Sequence, residues 1–203
     1  MGFWDHIVAQ FGKPTGLLGK FAGFIMSKRG SNLERNMWAI SLLKLKPQDR
    51  VLEVGFGPGM AIQIMSDEIT EGIVFGIDHS DVMLEQATKR NKDAIESGKV
   101  KLLLASVSSL PTFDQPFDKI LDINTFQFWK TPIEDLRKIK AHLKTNGAIF
   151  IVHQPRKPGA TEQDTDTAGN EFENYLRQAG FKDIGIQKKT MKPVPTVCVY
   201  GKA

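Results

Sequence analysis

Asp49-Arg50-Val51-Leu52-Glu53-Val54-Gly55-Phe56-Gly57-Pro58-Gly59-Met60 decides how the rest of the chain is read. An apolar run from Val51 to Val54 carries one carboxylate, then breaks into glycines at alternate positions. A short apolar run bounded by glycine reads as a buried strand, and glycine lets the following turn take positive φ and approach a ligand closely. Pro58 has its φ preset for the first turn of a helix. Strand, glycine turn and helix in this order open an α/β ligand-binding unit. The spacing is G-x-G-x-G, whereas the dinucleotide fingerprint needs its third glycine one residue later, where Met60 stands. Glu53 argues the same way, because a carboxylate at the mouth of the turn repels a pyrophosphate and attracts a cation.

The next strand adds a second anchor. Ile73-Val74-Phe75-Gly76-Ile77 is an apolar run ending in Asp78, 19 residues after Gly59, where a doubly wound sheet places a carboxylate for ribose hydroxyls. Ser80 and Asp81 supply a cap and a negative charge for the helix that follows, which sets Met83 and Leu84 near the ligand edge. Met83 reads equally well as core. Together these features point to an adenosyl ligand bearing a cation, and S-adenosylmethionine, with its ammonium and sulfonium, has both.

With these residues in view, the chain resembles the class I S-adenosylmethionine-dependent methyltransferases. The resemblance rests on Val51 to Gly59, then Gly76-Ile77-Asp78-His79-Ser80, Phe117-Asp118-Lys119-Ile120 and Leu143-Lys144-Thr145-Asn146-Gly147, in the family's order. It implies a Rossmann-like, doubly wound seven-stranded sheet, mostly parallel with an antiparallel C-terminal strand. It also implies that Glu53, Gly55, Gly57 and Gly59 line the methionine part of the cofactor and that Asp78 binds ribose. The family's Gly-Asp-Ala after the third strand is replaced by Leu104-Ala105-Ser106-Val107, so the adenine contact falls to backbone groups of Ala105 and Ser106. His79 is expected beside the ribose or adenine, and Asn124, after the fourth strand, at the methionine end.

Segment types alternate as a parallel sheet requires. Strands are expected near 50–54, 73–77, 100–104, 118–123 and 147–153, with helices near 58–69, 80–93 and 132–143. Thr131-Pro132-Ile133-Glu134 reads as a capping box with proline at the first helical position. The polar stretch 155–167 reads as a mobile loop, followed by a helix over 171–179 and late strands near 182–190 and 195–202. The catalytic domain is expected over 46–203 and an N-terminal helical lid over 1–45. In that lid Phe3, Trp4, Ile7, Val8 and Phe11 share one helical face, Leu17 to Met26 is a second apolar piece, and Asn32 to Leu43 is a third helix.

Composition fits one globular domain. The 203 residues are 41% hydrophobic and 25% charged, enough for a single three-layer core. Cys198 is the sole cysteine, which excludes an internal disulfide framework and points to a reducing, cytoplasmic setting. It reads as a buried strand residue. No apolar stretch is long enough to span a bilayer, so stable membrane anchoring is not expected. The net charge of +4 is spread rather than blocked, and reads as solvated surface more readily than as a nucleic-acid footprint. The histidines show no metal-ligand spacing, and no metal is expected. A monomer or a homodimer fits the chain.

Candidates for the acceptor side are Phe126, Gln127, Phe128 and Trp129 after the fourth strand, and His153 with Gln154 at the end of the fifth. Ligands in open α/β sheets bind outside the carboxyl ends of the strands. His153 could take a proton from a phenol, thiol or amine, and competes with a reading as a hydrogen-bonded structural histidine. His153, Gln127 and Trp129 are the residues expected to act on the acceptor. The prolines that amino-methyltransferases of nucleic-acid bases and of protein glutamine carry after strand four are missing from Asn124-Thr125-Phe126-Gln127, and Cys198 lies far from the cysteine position used for cytosine C5. A small molecule with an apolar or aromatic part is the expected acceptor. An RNA methyltransferase and a non-catalytic cofactor-sensing or partner-binding module are the alternatives.

Overall fold

A computed structural model describes residues 30–203. Its elements in chain order are α1 (Gly30–Leu43), β1 (Arg50–Val54), α2 (Met60–Glu68), β2 (Ile73–Asp78), α3 (Asp81–Arg90), α4 (Lys92–Glu96), β3 (Val100–Leu104), β4 (Phe117–Ile123), α5 (Pro132–Ala141), β5 (Leu143–His153), α6 (Glu162–Gln178), β6 (Lys182–Lys189) and β7 (Thr196–Lys202). Short 3-10 turns at Val107–Ser109 and Phe126–Phe128 follow β3 and β4. The expected lid residues before Gly30 lie outside the described residues, and its third helix is α1.

The strands form one sheet in the order β3-β2-β1-β4-β5-β7-β6. β1 to β5 are parallel, and β7 runs antiparallel to both β5 and β6. This is the doubly wound, mostly parallel sheet expected from the sequence. Strand order reverses between β1 and β4, so a crevice opens at their carboxyl ends, where glycine turn and acceptor candidates meet. Alternate residues of each strand face two separate cores. Val51, Val74, Leu121 and Val152 pack under α1 to α4, and Leu52, Ile77, Ile120, Ile151 and Val199 pack under α5 and α6.

Four local expectations are corrected. Residues 155–167 are not simply a loop, because α6 begins at Glu162 and runs for 17 residues. Thr161 accepts from the Asp164 N–H and Asp164 accepts from the Thr161 N–H, a capping box that fixes this start. Its buried stripe is Thr165, Gly169, Phe172 and Leu176, whose polar and small members hide the helical period. At α5, Thr131 is the N-cap and Pro132 opens the helix, but the capping box does not form. The Thr131 hydroxyl donates instead to the buried Asp135 (3.1 Å), which also receives Ser108 Oγ (3.1 Å). The helix expected over 80–93 divides at Asn91, whose amide donates to Ala87 and Gly59 carbonyls. β5 starts at Leu143, four residues before Gly147, with a register shift opposite β4 and left-handed backbone at Asn146 (φ 65°).

Phe117 anchors the amino-terminal ends of the strands. Its fully buried ring meets Phe113 (4.9 Å) and Phe75 (5.5 Å) edge to face. Truncation to alanine removes one of the largest buried side chains, so Phe117→Ala should lower unfolding stability by about 3–5 kcal/mol in urea denaturation. The folded fraction should keep its ligand site, which lies at the opposite ends of the strands.

Candidate functional site

The glycine turn is fastened to both neighbouring strands. Gly55 N–H donates to the Ile77 carbonyl (2.8 Å), and a Cβ on Gly55 would stand 2.3 Å from Thr125 Cγ2, so only glycine lets the turn lie against the end of β4. Gly57 has φ 51° and donates its N–H to Asp78 Oδ2 (2.9 Å). A Cβ there would meet no atom within 4 Å, so this turn faces open space. Gly59, also at positive φ, is the N-cap of α2.

Three buried carboxylates converge beside the turn, from the ends of β1, β2 and β4. Glu53 is 2% exposed and its Oε2 has no hydrogen-bond partner. Burial first, then Asp122 and Asp78, push its pKa well above the ordinary carboxylate value, against a hydrogen bond from Ile62 N–H. Asp78 accepts from Gly57 N–H and from Ser80 N–H (2.9 Å); burial raises its pKa, opposed by those donors and by His79, whose Nδ1 lies 4.0 Å away. Asp122 was not singled out from the sequence. It accepts from Phe126 N–H (3.0 Å) and Thr125 N–H (3.2 Å), and burial still lifts it to about 7. Thr125 Oγ1 lies within hydrogen-bond distance of both Val54 O (3.1 Å) and Asp122 Oδ2. One hydroxyl proton cannot serve both, and a proton on Asp122 resolves this, donating to Thr125 while Thr125 donates to Val54. A carboxylate with an orphaned oxygen and open backbone beside it fits an ammonium or sulfonium.

The remaining candidates spread around this centre. His79 is 42% exposed on its side chain, next to Asp78. Met83 is buried in the core with Phe56 and Ile62. Ala105 donates its N–H to the Asp78 carbonyl (2.9 Å), which brings it and Ser106 beside the end of β2. Asn124 adopts left-handed backbone (φ 60°); its N–H donates to Val152 O (2.8 Å) and its Oδ1 accepts from Gln154 N–H (2.7 Å), tying the ends of β4 and β5 together. Gln127 is exposed and donates to the Asn124 carbonyl (2.9 Å). Trp129 packs on Phe126 (4.7 Å), while Phe128 is 41% exposed.

His153 lies at the end of β5 with its ring edge to face with Phe172 (5.5 Å) and its Nδ1 buried without a partner. Burial, then Arg35 and Arg156, lower its pKa to about 4, so it is neutral near pH 7. Gln154 is fully buried: it donates to the carbonyls of Val194 (2.8 Å) and Lys192 (3.2 Å) and accepts from Arg35 (3.0 Å). Cys198 is buried in β7 and its thiol is pushed up to about 12. Among the described residues no helix is long and apolar enough to cross a membrane.

Residues 51–147 match the model for a methyltransferase domain. The chain is 33% identical over 181 residues to the uncharacterized methyltransferase YdaC of Bacillus subtilis, spanning 89% of this chain and 97% of that protein. It is 27% identical over 111 residues to demethylmenaquinone methyltransferase of Thermotoga maritima, 55% of this chain and 45% of that protein. A crystal structure of a SAM-dependent methyltransferase from Aquifex aeolicus superposes with TM-score 0.72 at 22% identity, covering 89% of this chain and 97% of the other.

Two outcomes follow. Gly57→Ala should lower stability by only about 1 kcal/mol, from left-handed strain alone, yet weaken S-adenosylhomocysteine binding at least about tenfold in calorimetric titration, because the methyl enters the open face of the turn. An acid whose folded pKa is raised stabilises the fold fully below its ordinary value and loses that contribution as pH rises through the folded value. For Asp122 this window runs from 3.8 to about 7. Without ligand, the Tm contribution of Asp122 should therefore fall as pH rises from 5 to 8, and Asp122→Asn should flatten that part of the profile in thermal melts.

Proposed function

Because the chain belongs to the class I S-adenosylmethionine-dependent methyltransferases, we propose that it methylates a small molecule with an apolar or aromatic part, by in-line displacement. One observation carries the acceptor reading. The segments at the carboxyl ends of β4 and β5, the strand ends on which the carboxylate-lined turn also lies, carry an exposed Phe128, Trp129 packed on Phe126, and the neutral His153. These are aromatic groups accompanied by uncharged polar ones, His153 and Gln127. When bound, the cofactor supplies a methyl group already activated by positive sulfur, so the protein's task is alignment and exclusion of water.

The residues divide that task. Glu53 offers charge to a cationic group, and Asp78, with both oxygens engaged by backbone N–H groups, holds the turn and stands where ribose hydroxyls would reach it. Asn124 fixes the ends of β4 and β5 so that Gln127, Phe128 and Trp129 keep their place. His153, with its pKa near 4, accepts a hydrogen bond from the acceptor and is a weak base until an anion or a solvent change raises it. Within the expected cover, the described part is α1, which packs on α2 and against β4 and β5. The surface lysines favour a small acceptor over RNA, since Lys144, Lys157, Lys188 and Lys202 are paired with carboxylates at 2.6–2.8 Å and leave no unbroken basic face among them.

Wild-type protein should bind S-adenosylhomocysteine in isothermal titration, and Glu53→Gln should weaken S-adenosylmethionine at least about tenfold. Unchanged binding by Asp78→Ala combined with Gly57→Val would refute the assigned site. Turnover is then read as release of demethylated cofactor over a panel of phenols, quinones, thiols and amines. Tight RNA binding with a steep salt slope would move the assignment to RNA, and binding without any turnover would move it to a cofactor-sensing module.

A further inference from the structure

Asp122, near the end of β4, is joined to the glycine turn through one hydroxyl. Asp122 is 1% exposed and stands in register with Val54 on β1 and Ile151 on β5, both apolar. Its Oδ1 accepts from the Thr125 N–H (3.2 Å) and the Phe126 N–H (3.0 Å). Its Oδ2 lies within hydrogen-bond distance of Thr125 Oγ1, which stands 3.1 Å from the Val54 carbonyl oxygen. Val54 is the last residue of β1, and a Cβ on Gly55 would lie 2.3 Å from Thr125 Cγ2, so this hydroxyl bridges strand and loop where the turn begins. The titratable groups on the elements about Asp122 are Glu53 of β1, Asp78 of β2, His153 of β5 and Tyr175 of α6, whose ring lies 6.0 Å from Phe126. Glu53 feels both Asp122 and Asp78.

A hydroxyl has one proton, so Thr125 cannot donate to both oxygens. With a proton on Asp122 Oδ2 the chain runs one way: Asp122 donates to Thr125, Thr125 donates to Val54, and Oδ1 keeps both backbone N–H groups. With Asp122 ionised, the carboxylate is the stronger acceptor, so the hydroxyl turns to it and the Val54 carbonyl loses this donor. The proton passes to solvent and no covalent bond of the chain changes. Resting on the cofactor-binding part of the reading above, we propose that Asp122 is a positioning residue for the cofactor: its carboxyl proton, relayed as hydrogen bonds through Thr125 to Val54, clasps the glycine turn to the loop after β4, and loss of that proton opens the clasp. The same loop carries Asn124, Gln127 and Trp129, so the clasp also sets the acceptor side against the cofactor side.

The probe is S-adenosylhomocysteine, titrated calorimetrically into full-length protein at constant ionic strength from pH 6 to pH 8. At each pH the wild-type Kd is divided by that of Asp122→Asn, which removes the ligand's own ionisation because both proteins meet the same ligand. Asparagine keeps an acceptor for the two backbone N–H groups and a donor for Thr125 at every pH, whereas the acid does so only while protonated. With the wild-type midpoint at about 7, the clasped fraction falls about tenfold over this range, so the ratio should climb by about tenfold. Thr125→Val keeps the branched shape against Gly55 but breaks the chain of hydrogen bonds. It should bind more weakly than wild type at pH 6, with the gap closing by pH 8, and it decides the matter if Asp122→Asn does not fold. A flat ratio, the outcome of a merely structural role, or wild-type affinity in Thr125→Val at pH 6 would overturn the proposal. A ratio that falls as pH rises would make Asp122 an anionic partner of the cofactor and would overturn it as well. Failure of S-adenosylhomocysteine to bind wild-type protein at any pH would instead remove the reading underneath.

Discussion

The hydrogen bond from Gly57 N–H to Asp78 holds the site together. It joins the first turn of the chain's α/β unit to the end of the neighbouring strand, and it forms only because β1 and β2 pair in parallel, with Glu53 opposite Gly76. The second oxygen of Asp78 takes Ser80 N–H, which also opens α3. One carboxylate thus sets the turn, the strand end and a helix start. Gly55, pressed against Thr125, extends the same constraint to β4, and Asn124 extends it to β5.

The charge pattern along this edge is divided. Carboxylates gather at the ends of β1, β2 and β4, and guanidiniums gather past β5. Between them stand uncharged groups: Asn124, Gln154 and a neutral His153. Burial raises the pKa of Asp122 and lowers that of His153.

Much of this was legible in the sequence, for physical reasons. β1 and β2 are short, mainly apolar runs stopped by glycine or a carboxylate, so both their extent and the turn could be read directly. Glu53, Asp78 and the glycines follow from the same pattern. Asp122 did not stand out, because a single acid inside Leu121-Asp122-Ile123 looks like one position of an alternating strand, and its importance comes from burial beside Glu53. Arg35 was hidden for a similar reason, as an ordinary charged residue on a helix whose partners, Gln154 and Arg156, are more than a hundred residues away. The start of α6 was missed because Thr165 and Gly169 occupy its buried stripe; Gly169 is needed where a Cβ would come within 3.1 Å of Val197. The one available clue was Thr161 followed by Asp164. At α5 the opposite occurred: the motif was present, but Asp135 drew the threonine hydroxyl away.

The place of β7 governs how the sheet can be completed. Among the described residues β6 has no hydrogen-bonded neighbour strand other than β7, although it precedes β7 in the chain. It cannot dock on β5 and wait. A folding intermediate containing β1 to β5 would expose the edge of β5, with β6 unattached, until the later segment slips between them. That insertion is also what buries Cys198 and clamps Gly169, so the part of α6 that packs on β7 gains its surface only in the closing step. The half of the sheet that carries the glycine turn can therefore form early, while the end of β5 that carries His153 is finished last.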